Sequence, residues 1–205
     1  VTSLTAPAPV YGLVLAGGGS KRMQRDKAVL EYAGVRQLDR VYAVLARHCE
    51  FSFVSVRPAQ AHEPVRASKP LIVDALDGDG PVAGIRSAMA THPAAAWLVV
   101  ACDLPFLSDA TLARLLAARD HSGLATAYRS SHDGLPEPLC AIWEPRAAQA
   151  LADYQREGGT CPRKFLIRRG ARLIDAPEPA ALDNVNTPEE FREAQRRFAR
   201  VPACN

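Results

Sequence analysis

Short apolar runs that each break off on glycine or aspartate set the strongest limit on how this chain folds. Val10 to Ala16 (Val-Tyr-Gly-Leu-Val-Leu-Ala) leads into Gly17-Gly18-Gly19, Leu71-Ile72-Val73 ends on Asp74, and Trp97 to Ala101 ends on Cys102-Asp103. Phe51 to Val56 is a further such run, but it ends on Arg57-Pro58. Runs this short and this apolar read as strands buried on both faces. Between them lie helical patterns: Leu38, Val41, Tyr42 and Leu45, a segment that Pro81 opens and that runs towards His92, and one that Ser108 caps and that reaches about Arg119. Strand and helix thus alternate, as they do in an α/β chain with a mostly parallel central sheet and helices on both faces.

The second half is less regular. Leu124 to Tyr128, Leu139 to Trp143 and Arg172 to Ile174 read as strands, and Pro145 to Tyr154 and Pro162 to Arg169 as helices. Thr187-Pro188-Glu189-Glu190 opens a last helix with a cap and a first-turn proline. No repeat or long linker interrupts the 205 residues. One domain is therefore expected, with a disordered tail over 1–9, a nucleotide-binding half over about 10–107 and an acceptor-binding half over about 108–205. With 48% apolar residues, a sizeable core needs no staples.

Charge is near balance at +3, too little for the broad basic face of a nucleic-acid binder. It is concentrated locally: Lys21 to Lys27 holds four cations and one anion, an excess equal to that of the whole chain. Cys49, Cys102, Cys140, Cys161 and Cys204 are scattered and form no CxxC pair, so neither a disulfide framework nor a zinc site is expected. No leader pattern or membrane-length apolar run is visible, and a cytoplasmic location is expected.

In an open α/β sheet, ligands bind beyond the carboxyl ends of the strands. Gly17-Gly18-Gly19 stands at such an end, where a backbone without side chains can approach phosphates and aim N–H groups at them. Arg22 and Lys27 would then supply counter-charge. The loop lacks the Gly-Lys-Ser/Thr of a phosphate-binding P-loop and the third glycine of the dinucleotide fingerprint. A flexible glycine turn beside a solvated basic face is the plainer alternative. Asp103 follows a buried strand, where an unpaired carboxylate is costly unless something satisfies it, and Mg²⁺ favours one or two carboxylates plus phosphate oxygens. A turn or capping aspartate is the alternative, for Asp74 as well. Asn186 can cap a helix or lend a carbonyl oxygen to a metal.

Four blocks now stand in order: Leu15-Ala16-Gly17-Gly18-Gly19-Ser20-x-Arg22-Met23-x-x-Asp26-Lys27, Gly80-Pro81-Val82-Ala83-Gly84-Ile85, Cys102-Asp103-Leu104-Pro105-Phe106-Leu107 and Asn184-Val185-Asn186-Thr187-Pro188-Glu189-Glu190. Together they resemble the molybdenum cofactor guanylyltransferase (MobA-like) family and span nearly the whole chain. The first block alone is shared with sugar-nucleotide and cytidylyl enzymes. The resemblance implies a Rossmann-like nucleotidyltransferase fold that uses GTP and Mg²⁺ and transfers GMP to the phosphate of molybdopterin. Molybdoenzymes or cofactor-handling proteins would receive the product. By the same resemblance Leu15, Ala16, Gly17, Gly18 and Asp74 contact the nucleotide, Lys27 its phosphates, and Asp103, with Asn186, the metal. Arg22, Lys27 and Asp103 are the residues expected to carry catalysis.

The chain departs from the better-known members in two places. Ser55-Val56-Arg57 stands where they carry an Asn after the second strand, and Gly134 to Leu139 also differs. The Gly17-Gly18 pair resembles guanylyl rather than cytidylyl members. A cytidylyl or sugar-phosphate enzyme and a nucleotide-binding regulator without turnover are the alternatives. Arg163 and Lys164, at a helix start where the macrodipole disfavours cations, read as a solvated end more readily than as a phosphate site. Glu137 reads as a loop carboxylate more readily than as a pterin contact. His48, His62, His92, His121 and His132 share no ligand spacing.

Overall fold

A computed structural model describes residues 7–19, 22–74 and 80–200. Nine strands appear among them: β1 (Val10–Leu15), β2 (Glu31–Tyr32), β3 (Val35–Arg36), β4 (Ser52–Val56), β5 (Leu71–Val73), β6 (Ala96–Ala101), β7 (Ala125–Arg129), β8 (Pro136–Trp143) and β9 (Arg172–Ile174). The helices are α1 (Gln37–Ala46), α2 (Pro64–Ala67), α3 (Pro81–Thr91), α4 (Asp109–Ala117), α5 (Ala147–Arg156), α6 (Pro162–Arg169) and α7 (Pro188–Arg200). Seven strands form one sheet in the order β5-β4-β1-β6-β8-β7-β9, and β2 and β3 make a separate hairpin.

Side chains alternate across each strand, which splits the core into two layers. Val14, Val54, Leu98 and Val100 point to the face covered by α1 and α4, where Leu38, Leu45, Leu112 and Leu115 meet them. Leu13, Trp97, Val99 and Trp143 point to the other face, against Ile85 and Met89 of α3, Leu151 of α5 and Phe165 of α6. Every residue of β6 is buried, which explains its unbroken apolar run. A third, smaller cluster of Met23, Leu30, Tyr32, Val185 and Ala194 fastens α7 over the β2–β3 hairpin.

The pairs β1–β4, β1–β6, β4–β5 and β7–β9 are parallel. The sheet is mostly parallel, as expected, and its antiparallel member is β8, which runs against both β6 and β7. It also starts earlier than its apolar pattern suggests, because Pro136 and Pro138 lie within it. Pairing with β6 begins only at Cys140, and the register with β7 shifts between Ala127 and Tyr128, so the prolines sit at a bulge where missing N–H groups cost least. At the end of the expected tail, Ala8 and Pro9 are tied to the fold. The carbonyl of Ala8 accepts a 2.8 Å hydrogen bond from Arg119 and that of Pro9 a 2.9 Å bond from Ala96 N–H, while residues 1–6 lie outside the described residues.

Chain order turns back at β1, with β4 on one side and β6 on the other. Such a reversal opens a crevice beyond the carboxyl ends of the strands. Gly17, Arg57, Asp74 and Asp103 each come one to two residues after a strand on that edge.

Candidate nucleotide site

A cavity of about 750 Å³ occupies this crevice, bounded by the glycine loop, Lys27, Asp74 and Asp103. Its width at β1 depends on two glycines. A Cβ on Gly84 of α3 would stand 2.5 Å from Ser55 Oγ and 2.9 Å from Leu15 Cδ2, so only glycine lets α3 approach the strand ends. A Cβ on Gly17 would stand 3.4 Å from the Arg57 amide and 3.6 Å from Asp74 Oδ2.

At one end of the cavity Lys27 gathers the polar groups. Its Nζ donates to Asp103 Oδ2 at 2.8 Å and to Asn186 Oδ1 at 2.6 Å, and Arg22 reaches the same Asn186 oxygen at 3.5 Å. Four residues from three of the sequence blocks thus meet at one point. The other carboxylate oxygen, Asp103 Oδ1, is buried and has no hydrogen-bond partner among the described residues. Such an oxygen costs free energy unless a donor or cation satisfies it. A hard divalent cation held by one carboxylate, one amide oxygen and phosphate oxygens suits this donor set. No cluster of three or more His, Cys, Asp or Glu that could hold a metal exists among the described residues. Mg²⁺, which keeps waters and phosphate ligands, does not require one.

At the other end, Asp74 Oδ1 accepts from Ser55 Oγ at 2.8 Å. Burial raises the Asp74 carboxyl above its ordinary value, and the Ser55 bond and the charge of Arg57 offset that only in part. Leu15, Ala16, Gly17 and Gly18 line the wall between the two ends. Lys21 and Ser20 lie outside the described residues.

The support beneath the loop was missed in the sequence reading. The guanidinium of Arg66, 1% exposed, donates to the Ala16 carbonyl at 3.2 and 2.9 Å, to Asp26 at 2.6 and 2.9 Å, and to Glu63. Asp26 Oδ1 also accepts the Ala28 amide at 3.0 Å, capping the turn Lys27–Val29 that presents the lysine. Burial works to raise the Asp26 carboxyl, but the Arg66 hydrogen bond, the Ala28 amide and the Arg66 charge hold it below its ordinary value. These partners are 40 and 50 residues apart, and no local pattern announces them. Gln37 braces the far side, donating to the Cys102 carbonyl at 2.8 Å.

Two further expectations change. Arg163 is not a solvated helix end: it binds Asp133 and Glu137, each at 2.9 Å. Glu137 is a strand residue rather than a loop carboxylate. Both line an adjoining cavity of about 360 Å³ that shares Pro81 and Leu139 with the first. Thr187 caps α7: its hydroxyl accepts the Glu190 amide at 3.2 Å, and the Glu190 carboxylate accepts the amides of Asn186 at 2.6 Å and Thr187 at 3.1 Å. Asn186 therefore caps through its backbone and keeps its side chain for the cavity.

A mostly parallel sheet with a glycine loop, a cation and a strand-end carboxylate in its crevice defines a nucleotide-handling α/β protein. Residues 12–173 match the model of the MobA-like NTP transferase domain, and the chain belongs to that family. It is 33% identical over 190 residues to the molybdenum cofactor guanylyltransferase of Pseudomonas paraeruginosa, covering 90% of this chain and 94% of that one. A molybdenum cofactor biosynthesis bifunctional protein of Synechocystis is 36% identical over 183 residues, covering 89% of this chain, and the chain spans about half (53%) of that protein's length. Among solved structures, molybdopterin-guanine dinucleotide biosynthesis protein A from Archaeoglobus fulgidus superposes with a TM-score of 0.80 at 21% identity, covering 93% of this chain and all of that one (100%). A CMP:2-keto-3-deoxy-manno-octonic acid synthetase complexed with CTP shares the fold at a TM-score of 0.73 and 14% identity, covering 94% of this chain and 99% of that one.

Proposed function

We propose that this chain transfers GMP from GTP to the phosphate of molybdenum-bound molybdopterin, giving the guanine dinucleotide cofactor and pyrophosphate. The observation that carries the reading is the meeting of Arg22, Lys27, Asp103 and Asn186 at the end of a cavity walled by a glycine loop. Likeness to relatives named as guanylyltransferases at 33–35% identity over most of both chains supports the substrates.

An oxygen of the acceptor phosphate attacks the α-phosphorus of GTP, the bond from that phosphorus to the bridging oxygen breaks, and pyrophosphate leaves with its electron pair. The acceptor phosphate is already ionised near neutral pH, so the step needs no protein base. Catalysis is then positioning and charge stabilisation. Asp103 and Asn186 would hold Mg²⁺, which supplies neutralising charge to the triphosphate. Amides of Gly17 and Gly18 face the phosphates. Lys27 and Arg22 stabilise charge that grows on the α-phosphate and the leaving group. The cavity beside Leu139 and Arg163 takes the acceptor. Hand-over of the product to a molybdoenzyme or cofactor-handling protein belongs to the same reading, as does a cytoplasmic site of action. Cys49, Cys102, Cys140 and Cys161 are free thiols, which suits a reducing compartment. Among the described residues no helix is long and apolar enough to cross a membrane.

The test is formation of the guanine dinucleotide cofactor from GTP, Mg²⁺ and the molybdenum-loaded pterin, by wild type and Asp103→Asn. The variant is nearly isosteric and should keep the fold while losing most turnover. A product formed from CTP in preference to GTP, or an Asp103→Asn rate within a few-fold of wild type, overturns the proposal.

A further inference from the structure

The fold accommodates enzymes of different bases, so what selects the base must lie in side chains. Apart from Asp26, which Arg66 holds, the charged residues that line the cavity fall into two groups. Arg22 and Lys27 collect around Asp103 and Asn186. Arg57 stands apart from them, beside Gly17, with its charge acting on Asp74. If the first group takes the triphosphate, the second faces the base.

The Arg57 backbone is held twice. Pro58 follows it and restricts it to an extended conformation, observed at φ −71° and ψ 154°. The side chain of Gln60, itself buried, accepts from the Arg57 amide at 3.2 Å and from its Nε at 3.4 Å. The stem then lies along Gly17, with Cγ 3.6 Å from where a Cβ would be, and Nη2 reaches to 3.9 Å of the equivalent point on Gly19. The Nη atoms make no hydrogen bond among the described residues, and Arg57 is an exposed residue that lines the cavity. Asp74 Oδ2 stands 3.6 Å from the same Cβ position of Gly17, while Oδ1 is engaged by Ser55.

An anchored arginine and a carboxylate oxygen therefore meet beside one glycine. Guanine carries two donors, N1–H and the 2-amino group, on one edge, and two adjacent acceptors, O6 and N7, on the next. The first edge suits a carboxylate and the second suits an arginine fork. Adenine sets an amino donor beside N7, which opposes the fork, and cytosine has no adjacent acceptor pair beyond its pairing edge. We propose that Arg57 is a specificity-determining residue that reads O6 and N7 of the guanine base while Asp74 takes the donor edge. The proposal rests on the guanylyl reading above, and it gives a role to the Ser55-Val56-Arg57 segment that departs from the better-known members.

The experiment is titration calorimetry with Mg²⁺ and four nucleotides, GTP, 7-deaza-GTP, ITP and CTP, on the full chain and on Arg57→Ala, Arg57→Lys and Gln60→Ala, each checked for an unchanged melt. A good bidentate base contact corresponds to roughly 5- to 150-fold in affinity. Arg57→Ala should weaken GTP by about 10-fold or more and change CTP less than about two-fold. 7-deaza-GTP, which lacks the N7 acceptor, should bind wild type several-fold more weakly than GTP and bind Arg57→Ala as well as GTP does, so that the two losses do not add. Arg57→Lys keeps the charge without the fork and should discriminate no better than Arg57→Ala. Gln60→Ala should lose part of the same discrimination. ITP, which lacks only the 2-amino group, should lose affinity equally in wild type and Arg57→Ala. Equal weakening of GTP and CTP by Arg57→Ala, or retained discrimination in Arg57→Lys, overturns the assignment to Arg57. Preference of the wild type for CTP overturns the guanylyl reading itself, and that shows before any variant is compared.

Discussion

Replacing Arg66 by methionine tests whether the glycine loop is held from beneath. Methionine fills most of the stem volume, so the change removes chiefly the guanidinium. Asp26 and Glu63, with side chains 35% and 43% exposed, can turn to water once it is gone. The Ala16 carbonyl cannot, because Ala16 is 5% exposed and it loses both Arg66 bonds. A deserted buried carbonyl costs about 1–3 kcal/mol, and the lost charge-assisted bonds add to that. Relief of the desolvation of Arg66 itself works the other way. The net loss is about 2–3 kcal/mol. For a chain of this size each kcal/mol lowers Tm by roughly 2–4 °C, so the melt should fall by about 4–12 °C. The loop should lose its pre-organisation as well, and GTP affinity at a temperature where the variant is folded should drop with it. Differential scanning calorimetry with and without GTP and Mg²⁺ reads both. A melt within 2 °C of wild type and an unchanged ligand-induced shift would show that Arg66 is not the support of the loop.

Two further outcomes follow from the same contacts. Lys27→Ala should reduce turnover by about 30- to 1,000-fold while weakening GTP binding much less, since the lysine is assigned to charge that grows during transfer. Equal losses in rate and binding, or none in either, would remove it from that role. The second outcome concerns pH. The folded state holds the Asp26 carboxyl below its ordinary value. Its contribution to stability is therefore complete above the unfolded value of about 3.9 and is lost as pH falls through the lowered folded value. Asp26→Asn should be less stable than wild type near neutrality, and the difference should shrink in urea titrations taken below about pH 4. A constant difference down to pH 3 would refute the linkage.

How much of this was legible in the sequence depends on the range of each contact. Gly17, Asp74 and Asp103 were placed on one edge because an apolar strand declares where it ends, and the sheet brings those ends together. The cap at Thr187 was legible because its partner is three residues away. The Arg66 bonds to the loop were not, because Asp26 and Ala16 are 40 and 50 residues distant and a lone arginine has no local signature that points to them. The start of β8 was obscured by Pro136 and Pro138, which oppose strand formation everywhere except at the end of pairing, where they occur. Arg163 was misjudged for a related reason: the helix dipole is a local argument, and its bonds to Asp133 and Glu137 come from elsewhere in the fold.

The first and last sequence blocks make sense together once their inward residues are followed. Within Arg22-Met23-Gln24-Arg25-Asp26-Lys27, the cations Arg22 and Lys27 reach the cavity, while Met23 is 2% exposed and packs with Leu30, Tyr32, Val185 and Ala194. In Val185-Asn186 the valine enters that same cluster, and its amide donates to the Asp103 carbonyl at 3.0 Å. One small apolar cluster thus fixes the backbone on both sides of Lys27, and one backbone hydrogen bond sets Asn186 beside Asp103. Burial brings together Lys27 and Asn186, 159 residues apart in sequence, and their part-buried contact is set by it. Opening that cluster with Val185→Ala should move Asn186 away from Lys27 without touching either, and activity should fall with the affinity for Mg²⁺ rather than with that for GTP. Measured at saturating GTP, a Mg²⁺ titration of the variant that superimposes on wild type would show instead that the polar groups hold themselves in place.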